Sequence, residues 1–205
     1  MQLCPFFMMN TQKETFRETV TFIKQWARNP FQMGSIMPSS RALTSLISRC
    51  ALDGLSDECI VLELGSGTGR FTKGLLDAGL SPERLITMEL DPTLISFLKN
   101  RFPNLQIIQG NAAFLTDLLP KEVIGRVGVI VSGLPMLSLS SMVQEKILQS
   151  CLDVLHPCGS LLQITYSPFS SISAERYGMG KTHMGRAWSN IPPANLWRYT
   201  RQVEE

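Results

Sequence analysis

Glu63-Leu64-Gly65-Ser66-Gly67-Thr68-Gly69 follows the apolar run Cys59 to Leu64 and precedes a helical stretch from Arg70 to Ala78. Three alternating glycines let a backbone turn sharply and approach a ligand closely, while the first turn of the next helix presents unpaired N–H groups. A strand, a glycine turn and a helix in that order open a βαβ unit. The rest of the chain repeats the alternation. Leu85 to Glu89, Leu105 to Gln109, Val127 to Ser132 and Ser160 to Tyr166 read as strands. Helices are expected over Pro92 to Arg101 and Met142 to Leu155, the second ending at His156-Pro157. This predicts an α/β fold with a parallel sheet wound on both faces and ligands at the carboxyl ends of its strands. Beyond Pro168 the pattern changes, and His183 to Ile191 with Asn195 to Gln202, joined by Pro192-Pro193-Ala194, reads as a closing hairpin.

Composition sets the class. With 205 residues, 44% hydrophobic and 18% charged, the chain suits one globular domain and not a disordered segment. Its five cysteines are odd in number and form no CxxC pair, which argues against a disulfide framework or a zinc site and for a reducing compartment. No metal is expected. No apolar run approaches the roughly 18 residues of a membrane span, and residues 1–9 lack the basic start of a secretory signal. Net charge is +2 over residues 1–30, −2 over 31–169 and +4 over 170–201. Basic flanks around an acidic middle point to anionic partners, phospholipid or nucleic acid, or else to solvated faces.

The glycine turn suits a nucleotide-like cofactor. A dinucleotide fingerprint needs a sixth-place Gly or Ala, where this chain has Arg70. Glu63 at the strand end would repel a pyrophosphate but suits the ammonium and sulfonium charges of S-adenosylmethionine. Glu89 ends the second strand 24 residues after Gly65, where a carboxylate accepts ribose hydroxyls. Asn111, after the third strand, is either an acceptor for the adenine amine or a turn residue.

These residues resemble a class I S-adenosylmethionine-dependent methyltransferase. From Phe16 to Arg201 the chain is similar to the bacterial phospholipid N-methyltransferases that convert phosphatidylethanolamine to phosphatidylcholine. The similarity runs through Gly34-Ser35-Ile36 with Pro38-Ser39-Ser40, Arg101-Phe102-Pro103, Ser132-Gly133-Leu134-Pro135, Gln163-Ile164-Thr165-Tyr166, Trp188 to Ala194 and Trp197-Arg198-Tyr199. It implies a Rossmann-like, mostly parallel seven-stranded sheet with helices on both faces. It also implies an amphipathic helix in residues 1–30, with the methyltransferase domain in 31–205. The implied cofactor contacts are Glu63, Gly65, Ser66, Gly67, Gly69, Glu89, Asn111, Ser132 and Gly133. Where that family commonly has Gly-Asp-Ala, this chain has Gly110-Asn111-Ala112, an uncharged acceptor in place of a carboxylate.

Two other readings stand beside this one. RNA adenine dimethyltransferases carry Asn-Leu/Ile-Pro-Tyr after the fourth strand, the Asn accepting from the target amine and the Tyr stacking on the extruded base. The matching Gly133-Leu134-Pro135-Met136 lacks both groups, which argues against nucleic acid. The third reading is a non-catalytic lipid- or cofactor-binding module, suggested by Asn111.

On a helical wheel Phe16, Thr19, Val20, Phe22, Ile23, Trp26 and Ala27 fall within roughly 160°. Lys13, Arg17, Lys24 and Arg28 fill the adjoining arc. Such a helix either lies in the interface of an anionic membrane, each cation worth ~1 kcal/mol, or packs on the sheet or over the cofactor. The first choice, with the resemblance, places the protein in the cytoplasm, peripheral on the inner face of the membrane.

A lipid amine is protonated near neutral pH and must lose a proton before attacking the methyl group in line with the sulfonium. Tyr166 is the candidate for orienting it and passing the proton to water, or else a strand-end aromatic. Leu134 is a candidate lining residue. Tyr166, Tyr199, Trp188 and Trp197 are the rings available to hold a methylated head group as an aromatic cage, or else core residues. Arg186 and Arg198 are candidate phosphodiester partners or solvated strand residues. His183 has no assigned role and reads as a loop histidine. The chain has no P-loop, no HExxH and no GxSxG sequence.

Overall fold

The structure is a computed structural model that describes residues 40–202. The amphipathic segment in residues 1–30, with Lys13, Phe16, Arg17, Phe22, Lys24, Trp26 and Arg28, lies outside the described residues. Helix α1 (Arg41–Leu52) begins at Ser40, whose hydroxyl accepts from the Leu43 N–H at 3.2 Å. It leads to β1 (Ile60–Leu64), α2 (Arg70–Asp77), β2 (Leu85–Glu89), α3 (Pro92–Arg101), β3 (Gln106–Gln109) and a single-turn α4 (Leu115–Leu118). There follow β4 (Val127–Ser132), α5 (Ser141–Val154), β5 (Leu155–Thr165), β6 (Met179–Ala187) and β7 (Ala194–Arg201). α3 starts sharply because Pro92 follows Asp91, whose carboxylate accepts from the N–H groups of Thr93 and Leu94.

The seven strands form one sheet in the order β3-β2-β1-β4-β5-β7-β6. All pairings are parallel except those of β7, which runs antiparallel to β5 and β6. β1, β2 and β4 are buried along their whole lengths, as strands covered on both faces must be. Leu62, Leu64, Ile86 and Ile130 pack on one face against Val143, Ile147 and Leu148 of α5. Val61, Val129, Leu162 and Leu196 pack on the other against Leu43 and Ile47 of α1 and Leu75 of α2. Each such side chain contributes about 1.5–3 kcal/mol.

Strand order reverses between β1 and β4, and the loops leaving their carboxyl ends part into a crevice there. The expected doubly wound sheet and closing hairpin are both present. Three boundaries differ. β5 starts at Leu155 rather than 160, because the chain pairs with Val127 as soon as α5 ends. β6 starts at Met179, after Gly178 in a left-handed conformation ends a short 3-10 turn. It stops at Ala187 rather than Ile191, where Ala187 accepts from the Asn190 N–H and the chain turns.

Candidate active site

Glu63 stands at the end of β1, completely buried on the α2 side of the sheet. Its Oε2 accepts from Thr72 Oγ1 at 2.5 Å and from Thr87 Oγ1 at 3.4 Å. Its Oε1 is buried without a partner. Burial pushes its pKa up to about 7, against the lowering hydrogen bonds from Thr72 and Thr87. A buried carboxylate oxygen with no donor is a site that a cation completes, so the chain fits the ammonium end of S-adenosylmethionine.

Glu89 ends β2 next to it, fixed by three backbone donors. Gly67 N donates to Oε2 at 2.9 Å, while Leu90 N and Asp91 N donate to Oε1 at 2.7 and 3.1 Å. Its remaining lone pairs suit ribose hydroxyls. The glycine loop thereby wraps its own acidic neighbour, and Ser66 closes it further, its hydroxyl donating to the Met88 carbonyl at 3.0 Å.

The three glycines do different work. A Cβ on Gly65 would lie 2.9 Å from Leu134 Cδ2, so the β1 and β4 loops meet there. A Cβ on Gly67 meets nothing within 4 Å, whereas one on Gly69 would lie 2.5 Å from Phe102 Cε2 and 2.8 Å from Leu98 Cδ2. All three have positive φ. Gly69 thus serves packing of the Arg101-Phe102-Pro103 segment, and Gly67 borders open space. Arg101 Nη1 also donates to the Thr68 carbonyl at 2.7 Å.

Gly65, Glu89, Leu90, Asn111, Leu134 and Ile147 face one small cleft. Asn111 caps a 3-10 turn, its Oδ1 accepting from the Ala113 N–H at 3.0 Å, so it is a turn residue that still faces the cleft. Ser132 ends β4 and Gly133 follows it, beside the end of β1. Gly133 N donates to the Leu64 carbonyl at 2.9 Å, and its would-be Cβ lies 3.1 Å from the Gly65 carbonyl oxygen. Ser132 Oγ accepts from Leu134 N at 3.4 Å. Gln163, singled out only within a longer segment, donates to the Leu134 carbonyl at 2.9 Å and holds that loop in place.

The expected aromatic cage does not assemble, because side chains alternate across the sheet. Tyr166 packs with the α1 and α2 side, whereas Trp197 and Tyr199 pack with the α5 side. Tyr199 is fully buried in mid-strand, its hydroxyl bonded to Ser170 at 2.7 Å. Trp188 is exposed in the turn between β6 and β7. Arg198 is likewise displaced from a phosphodiester role, pairing opposite Leu162 in mid-sheet and donating to the Cys50 carbonyl of α1 at 2.6 Å.

His183 belongs to β6, not a loop. It shares Asn195 Oδ1 with Arg186, at 3.1 and 2.8 Å, and its ring lies 4.9 Å from that of Trp197. Tyr166 sits beside the buried Asn190 side chain, which accepts from Ser40 Oγ, and burial raises its phenol pKa. Thr72, Thr87 and Asn195 carry no sequence signal of their own, since each acts through a residue distant along the chain, whereas Asn190 belongs to the Trp188 to Ala194 segment of the resemblance. Among the described residues no group of three or more His, Cys, Asp or Glu side chains is placed to hold a metal.

Comparison with known proteins agrees with this geometry. Residues 61–159 match the family model described as a methyltransferase domain. The chain is 30% identical over 189 residues to the ornithine lipid N-methyltransferase of Singulisphaera acidiphila, spanning 90% of this chain and 96% of that protein. It is 36% identical over 111 residues to a probable ribosomal RNA small subunit methyltransferase A of Methanococcoides burtonii, but that match spans only 36% of the relative. Among solved structures, a TehB-like S-adenosylmethionine-dependent methyltransferase from Corynebacterium glutamicum superposes with a TM-score of 0.59 at 20% identity, covering 91% of this chain and 99% of that one. A Burkholderia thailandensis 1,6-didemethyltoxoflavin-N1-methyltransferase, solved with S-adenosylhomocysteine bound, reaches 0.61 at 13% identity, covering 98% and 92%. The chain belongs to the S-adenosylmethionine-dependent methyltransferases of the class I fold, in the family that includes the Singulisphaera ornithine lipid N-methyltransferase.

Proposed function

We propose that this enzyme methylates the primary amine of a membrane lipid head group at the inner face of the membrane. Phosphatidylethanolamine is the acceptor suggested by the sequence, and an ornithine lipid is the one suggested by the relative. The observation that carries the reading is the kinship over nearly the whole of both chains with a protein named for lipid N-methylation. Gly133-Leu134-Pro135-Met136 supports it, having neither the amide nor the ring for a flipped base. Both head groups pair a primary amine with a nearby anion.

When bound, S-adenosylmethionine supplies an electrophilic methyl group on a sulfonium. Glu63 would hold its ammonium, Glu89 would hold its ribose, and Asn111 would face its adenine end. Leu134, on the loop that follows Ser132 and Gly133, walls one side of the crevice. Tyr166, whose phenol pKa burial raises above its ordinary value, orients the amine through its hydroxyl without acting as a base. The amine's proton leaves to water, and the free lone pair would then form the new N–C bond as the methyl–sulfur bond breaks and the neutral thioether leaves.

Asn111→Asp is expected to keep the cap, since both residues serve there. It should tighten cofactor binding by roughly two- to fivefold through a charged acceptor; calorimetric titration checks this. The function itself is tested by the lipid profile of bacterial cells expressing the full chain. Mono-, di- or trimethylated ethanolamine lipids, or methylated ornithine lipids, are expected. Unaltered lipids together with newly dimethylated adenine in small-subunit RNA would contradict the proposal.

A further inference from the structure

Four large apolar side chains stand in solvent on loops leaving one edge of the sheet. Leu137 is 58% exposed, Phe169 77%, Trp188 72% and Ile191 71%. Leu137 follows β4 and Phe169 follows β5. Trp188 and Ile191 lie between β6 and β7, at the level of the carboxyl end of β5, as the pairing of Thr165 with Asn195 and of Asn195 with Arg186 requires. This is the edge where the cofactor crevice opens. Scattered exposed apolar residues are ordinary, but several on one rim mark a contact surface.

We propose that this rim is the membrane footprint of the enzyme: the four side chains enter the interfacial zone of an anionic bilayer, with Arg186 at the level of the lipid phosphates. The proposal rests on the lipid-acceptor reading and adds the orientation in which the enzyme meets its substrate.

Two observations favour a bilayer over other occupants. The first is charge. Arg186 is held by the buried Asn195, itself anchored on the Ser167 carbonyl at 2.9 Å. Its Cζ lies 4.9 Å from the centre of the exposed Trp188 ring, and it pairs with no carboxylate among the described residues. An exposed tryptophan under a cation matches the aromatic and phosphate levels of a membrane interface. β6 is three strand spacings from β4, about 14 Å, so the phosphate that Arg186 meets belongs to a neighbouring lipid rather than to the one reacting.

The second observation is continuity. The crevice opens within the rim, so a head group reaches it while its acyl chains stay in the bilayer.

The test uses the full chain and vesicles of phosphatidylglycerol and phosphatidylcholine, which have no primary amine, so binding is read apart from catalysis. Phe169→Ser combined with Ile191→Ser should weaken vesicle binding roughly tenfold or more, with S-adenosylmethionine affinity unchanged as the control for folding. Lipids brominated on the acyl chains should quench the fluorescence of the wild type more than that of Trp188→Phe. Vesicle binding undiminished in the double variant, or quenching equal in both proteins, overturns the footprint. Lipid methylation that persists alongside that negative result would leave the acceptor reading intact, whereas rim-dependent binding supports the footprint even if no lipid amine is methylated.

Discussion

Glu63→Gln is expected to stabilise the cofactor-free protein at pH 8 by about 2–3 kcal/mol while weakening S-adenosylmethionine binding by roughly two orders of magnitude or more. Both effects have one cause. The carboxyl is buried with one oxygen unpaired, and its pKa stands at about 7 against an ordinary 4.5. A carboxyl whose folded pKa lies above its unfolded value favours folding in its protonated form. That contribution, about 3 kcal/mol, is fully present below the unfolded pKa and is lost as pH rises through 7. The cofactor-free enzyme should therefore melt lower at pH 8 than at pH 5, and the Gln variant should lose this slope. Bound ammonium reverses the preference, so cofactor affinity should rise by up to about tenfold per unit as pH climbs towards 7 and level off above it. Scanning calorimetry and binding titrations from pH 5 to 8 check both. Undiminished affinity in the Gln variant would remove Glu63 from the site.

Gly67→Ala and Gly69→Ala should separate binding from folding. Both positions are left-handed, at φ +55° and +72°, so an alanine costs about 1–2 kcal/mol at either. Gly67→Ala adds no clash and points its methyl into open space. It should fold, with a melting temperature a few degrees lower, and lose cofactor affinity. Gly69→Ala drives its methyl into Phe102 and Leu98, adding about 1–3 kcal/mol of overpacking. It should lose stability first. The opposite ranking in thermal melts and titrations would mean that the glycines have exchanged roles.

This division within one Gly-x-Gly-x-Gly stretch shows where sequence reading stops. The strands flanking it were legible because β1, β2 and β4 are buried on both faces and read as unbroken apolar runs. The acidic ends Glu63 and Glu89 were legible because a carboxylate closing such a run requires a chemical reason. The support for Glu63 was not. Thr87 faces it only because the β1–β2 register sets those two residues side by side, and Thr72 only because α2 turns its third residue back over the strand.

β6 escaped in part because it is an edge strand of mixed burial, held by its pairing with β7 rather than by an apolar period. The rings gathered as a cage were compatible in type but divided by the pleat. Tyr166 and Tyr199 lie on opposite faces of the sheet, which no count of aromatic residues reveals.

Two features of the molecule bear jointly on the proposed chemistry: a buried carboxylate with one unpaired oxygen near the end of β1 and exposed apolar side chains on the loops at the carboxyl ends of the strands. The most direct measurement of what they do together is transfer of labelled methyl from S-adenosylmethionine by the purified full chain, offered phosphatidylethanolamine vesicles, ornithine-lipid vesicles and small-subunit RNA in parallel. Label entering the amine of one of the lipids, and lost in Glu63→Gln, is the predicted result. Label entering RNA while both lipids stay unlabelled would contradict the account.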